Sequence, residues 1–507
     1  MNDITGRSQF IRNVVVSWGM HVFVLAAGFI VPRQISDSLG NVSLGIWDFG
    51  WATVRYMAVT NMGMAGALTR YSGLYRAGDD PEKLNQAITA VVIWQMLVSL
   101  IIVLGTVLVV WQIESLIDLP AGQTEEARWV MALLGGSIAV QMMANPLGAL
   151  LGGYHRWDIQ HTLNGLHDFG VALGIVGALL FADVDLRHLG MVVLLGAVVV
   201  AFARLLAVRR VCQGIAFGFG YWDWHQALKM LSYGSKLMLS NLPHVILFQS
   251  MAIILATGAG PAVLAVFNRG VALIRICEKF VKKAASTYTP MVSSLIGLNR
   301  REEARDYLLE SSRFTLAMTL PMTWGLVFYG DLILLLWMGP EFSNRSMVAL
   351  LALGTAIPIA NAGPLSVLSG LNAIGRLSLL MFFATLVCLG VSIVVVNVAF
   401  AWDATVAAVV LGGSWTIASG LIIPLYMRHA FGVPLWRYLL QGIVLPVIYT
   451  LPLIVGMAAG RWALEEQRWY LMVVSWGASA VIALWVYFHW VLPAEWRDKI
   501  LQKLRAS

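Results

Sequence analysis

Residues 40–69, GNVSLGIWDFGWATVRYMAVTNMGMAGALT, recur in outline at 260–289, GPAVLAVFNRGVALIRICEKFVKKAASTYT, with Arg55 and Arg275 at the same place in the two copies, 220 positions apart. The same offset relates Gly40 to Gly260, Leu44 to Leu264, Gly50 to Gly270, Ala52 to Ala272 and Thr69 to Thr289 without a gap. It also pairs the polar Asp48 with Asn268. Further along, Asn145-Pro146-Leu147-Gly148 and Gly363-Pro364-Leu365-Ser366 repeat at nearly that spacing. An arginine near the bilayer centre costs at least ~2.5 kcal/mol, so it persists facing a cavity or a partner rather than lipid. Two of them in a duplicated bundle predict an anion site at the midplane of a two-lobe transporter.

Composition agrees. Of 507 residues, 59% are hydrophobic and 12% charged, against about 25% charged in soluble domains. The sequence therefore predicts an all-α integral membrane protein. Cys212, Cys277 and Cys388 show no paired spacing, so neither a disulfide framework nor a cysteine metal site is expected. The net charge of +7 is assigned to topology, because basic residues gather in the cytoplasmic loops of polytopic proteins.

About fourteen runs are long enough to cross a ~30 Å hydrocarbon core. They are Phe10–Pro32, Val42–Leu68, Leu84–Trp111, Trp129–Leu151, Thr162–Ala182, Leu189–Val208, Leu231–Ala256, Ala262–Ala284, Tyr307–Trp337, Met347–Leu371, Leu377–Ala401, Ala404–Met427, Leu439–Ala459 and Tyr470–Val491. This gives a six-helix lobe over 1–210, an interfacial linker at 211–230, a second six-helix lobe over 231–430, and two further helices with a basic tail over 431–507. Alternate loops hold the basic residues, among them Arg70, Arg76 and Lys83, Arg209 and Arg210, Lys282 and Lys283, Arg300 and Arg301, and Lys499, Lys503 and Arg505. Intervening loops carry Glu114, Glu125, Asp185, Glu465 and Glu466, with Arg128, Arg187, Arg345 and Arg461 as exceptions. Both termini are thus expected in the cytoplasm. The first run is too long for the apolar stretch of a cleavable signal.

Phe217, Phe219, Tyr221, Trp222 and Trp224 place the linker at the headgroup level, where it is read as an inter-lobe tether in preference to a lipid-sensing segment. On the fifth helix His161, Asn164 and Asp168 share one face, and Asp168 is a candidate, with Asp48, for coupling to a proton or sodium ion. His21 with Ser17, and His244 with Ser240, repeat an i, i+4 pattern in the first and seventh helices, making His21 and His244 cavity-lining candidates.

Leu39-Gly40, Leu44-Gly45-Ile46-Trp47, Tyr56, Asn61-Met62-Gly63-Met64 and Thr69-Arg70-Tyr71 together resemble the second-helix signature of polysaccharide-transporter flippases. Leu336–Phe342 and Pro364–Gly370 resemble two further landmarks of that family. The resemblance covers most of the chain and places it beside drug exporters and lipid-linked oligosaccharide flippases. It implies two six-helix lobes, two extra C-terminal helices, and transport of a polyprenyl-diphosphate-linked oligosaccharide across the bacterial inner membrane. Pathway polymerases or glycosyltransferases and membrane lipids would be its partners. In the related lipid II flippases, arginines of the first, second and eighth helices line the cavity. Arg55 and Arg275 match the latter two, whereas the first helix offers Asn13, Ser17 and His21 instead. Asn61 stands where many family members carry an acid.

A diphosphate suits the pair on chemical grounds as well, since Arg offers a planar, permanently charged, bidentate donor. Asp48, Asn268, His21 and His244 complete the candidate substrate site. The alternative is internal neutralisation, with Asp48 seven residues before Arg55 on one face and Glu278 one turn after Arg275. No phosphate-binding loop, HExxH or GxSxG element appears in a usable context, so no catalysis, metal, cofactor or nucleic-acid partner is expected. A cation exporter of the same superfamily is the closer rival, and its cavity should be acidic. The topology itself is testable: cysteines introduced near Glu125 and Glu465 should react with impermeant thiol reagents from outside the cell, and one near Arg300 should not. The reverse labelling would overturn the orientation.

Overall fold

With no water in hydrocarbon, each backbone N–H and C=O must be paired within the chain, which leaves helices as the form an apolar run takes. The computed structural model describes residues 7–120, 122–212, 214–465 and 468–491, with Arg497 and Gln502 beyond, and side chains of the first helix from Ala26 onward. Every regular element among the described residues is helical. Lys499, Lys503, Arg505 and Glu466 lie outside them, as do the side chains of Asn13, Ser17 and His21.

The chain divides into two compact units, Met1–Ala265 and Val266–Ser507. The first holds α1 (Arg7–Met57), α2 (Met64–Ala77), α3 (Pro81–Leu116), α4 (Thr124–Gly153), α5 (Trp157–Phe181), α6 (Leu186–Val211), α7 (Trp224–Leu239) and α8 (Leu242–Ala259). Helix α9 (Pro261–Ala285) runs across the division. The second unit continues with α10 (Tyr288–Gly297), α11 (Arg301–Met338), α12 (Arg345–Ala360), α13 (Ala362–Gly370), α14 (Ile374–Ala399), α15 (Ala404–Trp415) and α16 (Ile422–Phe431). It ends with α17 (Leu435–Arg437), α18 (Leu445–Tyr449), α19 (Leu451–Glu465) and α20 (Trp469–Val486).

The internal repeat is visible in the backbone. Gly40, which kinks α1, has φ 84° and ψ 169°; Gly260, between α8 and α9, has φ 91° and ψ 165°. Only glycine adopts that region without strain. Asp79 (φ 51°) and Asn299 (φ 60°), again 220 apart, close the same turn, in which Asp80 N–H donates to Tyr75 O and Arg300 N–H to Leu295 O, both at 2.9 Å. Thr69 Oγ1 donates to Ala149 O at 3.2 Å, and Thr289 Oγ1 to Ser366 O at 3.0 Å. A Cβ on Gly50 would come within 2.9 Å of Leu134, and one on Gly270 within 2.8 Å of Met347, so the same close helix approach is built twice.

Ten segments among the described residues are long and apolar enough to span a membrane. Of the fourteen expected, Val42–Leu68 and Ala262–Ala284 are not among these ten, while Phe10–Pro32 and Tyr470–Val491 fall in part on side chains outside the described residues. The first two have a clear physical cause. The run from Val42 breaks at Ala58–Gly63, where Met62 and Gly63 are left-handed, and α9 carries Arg269, Arg275, Glu278, Lys279, Lys282 and Lys283. The expected span Leu231–Ala256 is likewise interrupted at Ser240–Asn241, and Leu439–Ala459 breaks at Thr450.

The four arginines that break the charge alternation are all ion-paired. Arg128 meets Glu114 at 3.1 Å, Arg187 meets Asp185 at 2.5 Å, and Arg345 meets Glu465 at 3.9 Å. Burial pushes the Asp185 carboxyl up, but hydrogen bonds from Arg187 and His188 outweigh it and hold the group below its ordinary value. Arg461 grips both oxygens of buried Asp331, at 2.9 and 3.3 Å, tying α19 to α11. Removing one member of a buried pair leaves an uncompensated charge. Arg461→Met should therefore cost the protein about 3 kcal/mol in detergent unfolding, and Arg461→Met with Asp331→Leu should recover most of it. Equal melting of single and double variants would deny the clamp.

Candidate functional site

In the first unit the kink at Gly40 starts a new run that carries Asp48, Trp51 and Arg55 at helical spacing. Arg55 is exposed, with its Cζ 5.0 Å from the centre of the Trp51 ring, and Trp51 packs edge-on against Trp47 at 6.2 Å. The carboxylates whose charges act on Arg55 are those of Asp48 and Asp168. Three residues singled out in the sequence for two separate roles thus form one electrostatic cluster, because α5 packs along α1.

The cluster has a member that sequence reasoning missed. Arg204 on α6 donates from Nη2 to Asn164 Oδ1 at 2.7 Å, lies within reach of the Asp168 charge, and has a buried Nε that meets no acceptor. It stands inside the expected span Leu189–Val208, where a count of arginines per span would have found it. The polar face of α5 is accounted for residue by residue: Asn164 binds Arg204, His161 stacks on Trp157 at 5.7 Å, and His167 abuts Gly196 of α6. Asn61 serves the break in the same span, its carbonyl accepting from Trp94 Nε1 at 3.3 Å and its side-chain oxygen from Gln95.

In the second unit Asn268 and Arg275 lie on α9, both half-buried, beside the fully helical neighbours Arg269, which is buried, and Glu278, which is buried and meets Lys282 at 2.5 Å. Arg269 was also passed over in the sequence, as was half-buried Arg313 on α11. His244 on α8 is half-buried and stacks on Phe248 at 4.3 Å. The His21 side chain lies outside the described residues. The second unit also has an open apolar pocket of about 880 Å³ between α9, α11, α19 and α20, lined by Cys277, Leu326, Tyr329, Leu336, Met457 and Tyr487 among others.

The profile of a family described as "Polysaccharide biosynthesis protein" matches residues 189–347. No curated protein sequence matches the chain. Among solved structures, an inward-facing multidrug-resistance MATE transporter of the MOP superfamily aligns with a TM-score of 0.69 at 14% identity, over 82% of this chain and 98% of its own. The lipid II flippase MurJ in an inward-closed conformation aligns with a TM-score of 0.65 at 13% identity, over 97% of this chain and 100% of its own. A MOP-superfamily transporter from Pyrococcus furiosus, described as having a binding pocket of reverse polarity, gives 0.61 at 14% identity over 84% of this chain and 95% of its own. The chain therefore has the fold of MOP-superfamily transporters, and the profile match over 189–347 agrees with the polysaccharide-transporter resemblance read from the sequence.

The shared position of Asp168 between two arginines is testable without any transport assay. Asp168→Asn should lower the melting temperature by leaving Arg55 and Arg204 with less counter-charge, and Arg204→Gln in the same chain should recover most of the loss. A melting temperature unmoved by Asp168→Asn would separate the acid from the arginines.

Proposed function

We propose that this protein is a non-enzymatic flippase that carries a polyprenyl-diphosphate-linked oligosaccharide across the bacterial inner membrane by alternating access. Its product would feed surface-polysaccharide synthesis by polymerases or glycosyltransferases. The observation that carries this reading is Arg55, an exposed guanidinium in an apolar run with a copy at Arg275 in the equivalent helix. A permanent charge cannot economically face hydrocarbon, so each arginine serves a polar space, and a diphosphate there takes up the bidentate fork. In this reading Asp48, Asn268, His21 and His244 border the head group, and the lobes are 1–210 and 231–430, joined by 211–230 and followed by 431–507. Both termini would lie in the cytoplasm.

Two observations support the lipid-linked cargo. The 880 Å³ pocket is walled almost wholly by carbon and suits a prenyl chain, which gains about 0.8 kcal/mol per buried CH₂. The flippase MurJ covers 97% of this chain and the MATE transporter 82%, a difference of 15 percentage points, or about 76 residues.

The fold likeness to the MATE transporter gives the rival, an ion-coupled multidrug or organic-cation exporter, its standing. Transport of a lipid-linked oligosaccharide in vesicles separates them. Arg55→Gln and Arg275→Gln should each reduce flipping by tenfold or more while the protein still inserts, and Lys should rescue in part because it keeps charge but loses the fork. Arg55→Gln with Asp48→Asn should not restore flipping; restoration would show that the pair only neutralises itself. In the same assay Asp168→Asn or Asp48→Asn should remove the response to an ion gradient if either acid couples. Normal flipping by the double-Gln protein would sink the anchor assignment.

A further inference from the structure

We propose that Arg70 on α2 and Lys229 on α7 form a headgroup site for an anionic phospholipid, a site separate from the transported substrate. Both side chains are exposed and both converge on one aromatic ring: Arg70 Cζ lies 5.7 Å and Lys229 Nζ 5.0 Å from the centre of Tyr71. Arg70 also stacks on Tyr233 at 4.5 Å, and Tyr71 meets Tyr233 and Tyr75 at 5.7 Å each. Lys229 donates to Tyr75 Oη at 3.0 Å, and Tyr75 Oη in turn donates to buried Gln226 Oε1 at 3.0 Å. Among the described residues no carboxylate pairs with either cation. Two cations that share the Tyr71 ring, with no carboxylate pairing either among the described residues, ask for an external anion.

The surroundings say which anion. Tyr71 and Tyr233 pin the flat guanidinium while its edge stays open, the geometry that takes a phosphate in two parallel hydrogen bonds. Lys229 spends one N–H on Tyr75 and keeps two. Just before and at the start of α7, Phe217, Phe219, Trp222 and Trp224 are 58%, 87%, 40% and 65% exposed. Their backbone is held down on α3, where Ala216 N–H donates to Asn85 Oδ1 at 2.9 Å and Gly218 N–H to Thr89 Oγ1 at 3.3 Å. Large aromatics displayed from a fixed backbone belong at the headgroup level of a bilayer, and Leu68, the last apolar residue of its run, stands two residues before Arg70. A zwitterionic lipid would bring a choline against two cations, so the pair selects lipids whose headgroup is net negative.

The site spans a seam. Helices α2 and α7 meet at Gly63 and Gly234, where a Cβ on Gly234 would sit 2.6 Å from Met62 O. A phosphate bridging Arg70 and Lys229 ties those helices one to two turns further along. Helix α2 continues the arginine-bearing run of α1 through the turn at Ala58–Asn61, so the lipid acts as a clasp on the helix that carries Arg55.

The test uses the purified full chain in mixed micelles of phosphatidylcholine with phosphatidylglycerol, reading retained lipid by mass spectrometry. The unaltered protein should retain phosphatidylglycerol selectively. At about 1 kcal/mol per basic residue, Arg70→Gln with Lys229→Gln should weaken that retention about thirtyfold, and Lys229→Gln alone about fivefold. Arg209→Gln with Arg210→Gln, exposed cations at the end of α6, should leave it unchanged. If the double variant melts lower in phosphatidylcholine alone, the single variant decides. Equal retention of the two lipids by the unaltered protein, full retention by the variants, or complete displacement by millimolar inorganic phosphate overturns the lipid assignment.

Discussion

An unpaired peptide group in hydrocarbon costs several kcal/mol, and the breaks in the arginine-bearing runs are built around that cost. Where α1 must kink, Gly40 accepts a φ of 84° and the following run resumes its own hydrogen bonding. Where the arginine-bearing run breaks at Ala58–Asn61, side chains repair the ladder: Thr60 Oγ1 donates to Met57 O at 2.8 Å, and Trp94 and Gln95 of α3 donate to Asn61. In the second copy the break falls at Ser286–Thr287, and those two hydroxyls donate back to Lys283 O and Ala284 O at 2.7 and 2.9 Å. The two copies thus solve one backbone problem with different side chains, which is what a duplicated scaffold with diverged surfaces looks like.

The divergence is in charge. The backbone turns at Asp79 and Asn299, the threonine bonds of Thr69 and Thr289, and the glycine approaches at Gly50 and Gly270 are nearly superimposable in kind. Around them the first unit sets Arg55 among Asp48, Asp168 and Arg204, while α9 offers Asn268, Arg269, Arg275, Glu278 and Lys282. Packing tolerates few changes at a close helix crossing, whereas a cavity-facing position is free to vary. The shared glycines, threonines and turns therefore describe the fold, and around the shared Arg55 and Arg275 the charged neighbours differ between the halves.

The same division governs how much could be read from the amino-acid order. The offset of 220 was legible because glycines needed for positive φ and close approach, Gly40, Gly50, Gly260 and Gly270, cannot be replaced cheaply. Arg55 stood out against an apolar background. Arg204 did not, since it lies four residues before the end of its expected span and reads as the first of a loop group with Arg209 and Arg210. That Asp168 belongs with Arg55 was invisible, because which faces of α1, α5 and α6 meet is a property of packing, not of spacing within one helix. The outer arginines looked like exceptions for a similar reason: Arg461 and Asp331 are 130 positions apart, and only their contact shows that the charge is neutralised.

Charge balance then constrains the mechanism in the proposed flippase. Among the described residues, the cluster in the first unit sets Arg55 and Arg204 against the charges of Asp48 and Asp168. A diphosphate arriving at Arg55 adds negative charge to a region of low dielectric, where an uncompensated charge is expensive. In the proposed flippase, binding there would be favoured by a carboxylate that gives up its hold on the arginine or takes up a cation. Protonation of Asp168 would do both, freeing Arg55 for phosphate and removing one negative charge in the same step. The acid read as a coupling site and the arginine read as an anchor would then be two ends of one exchange, with substrate binding and ion uptake linked because both draw on the same guanidinium.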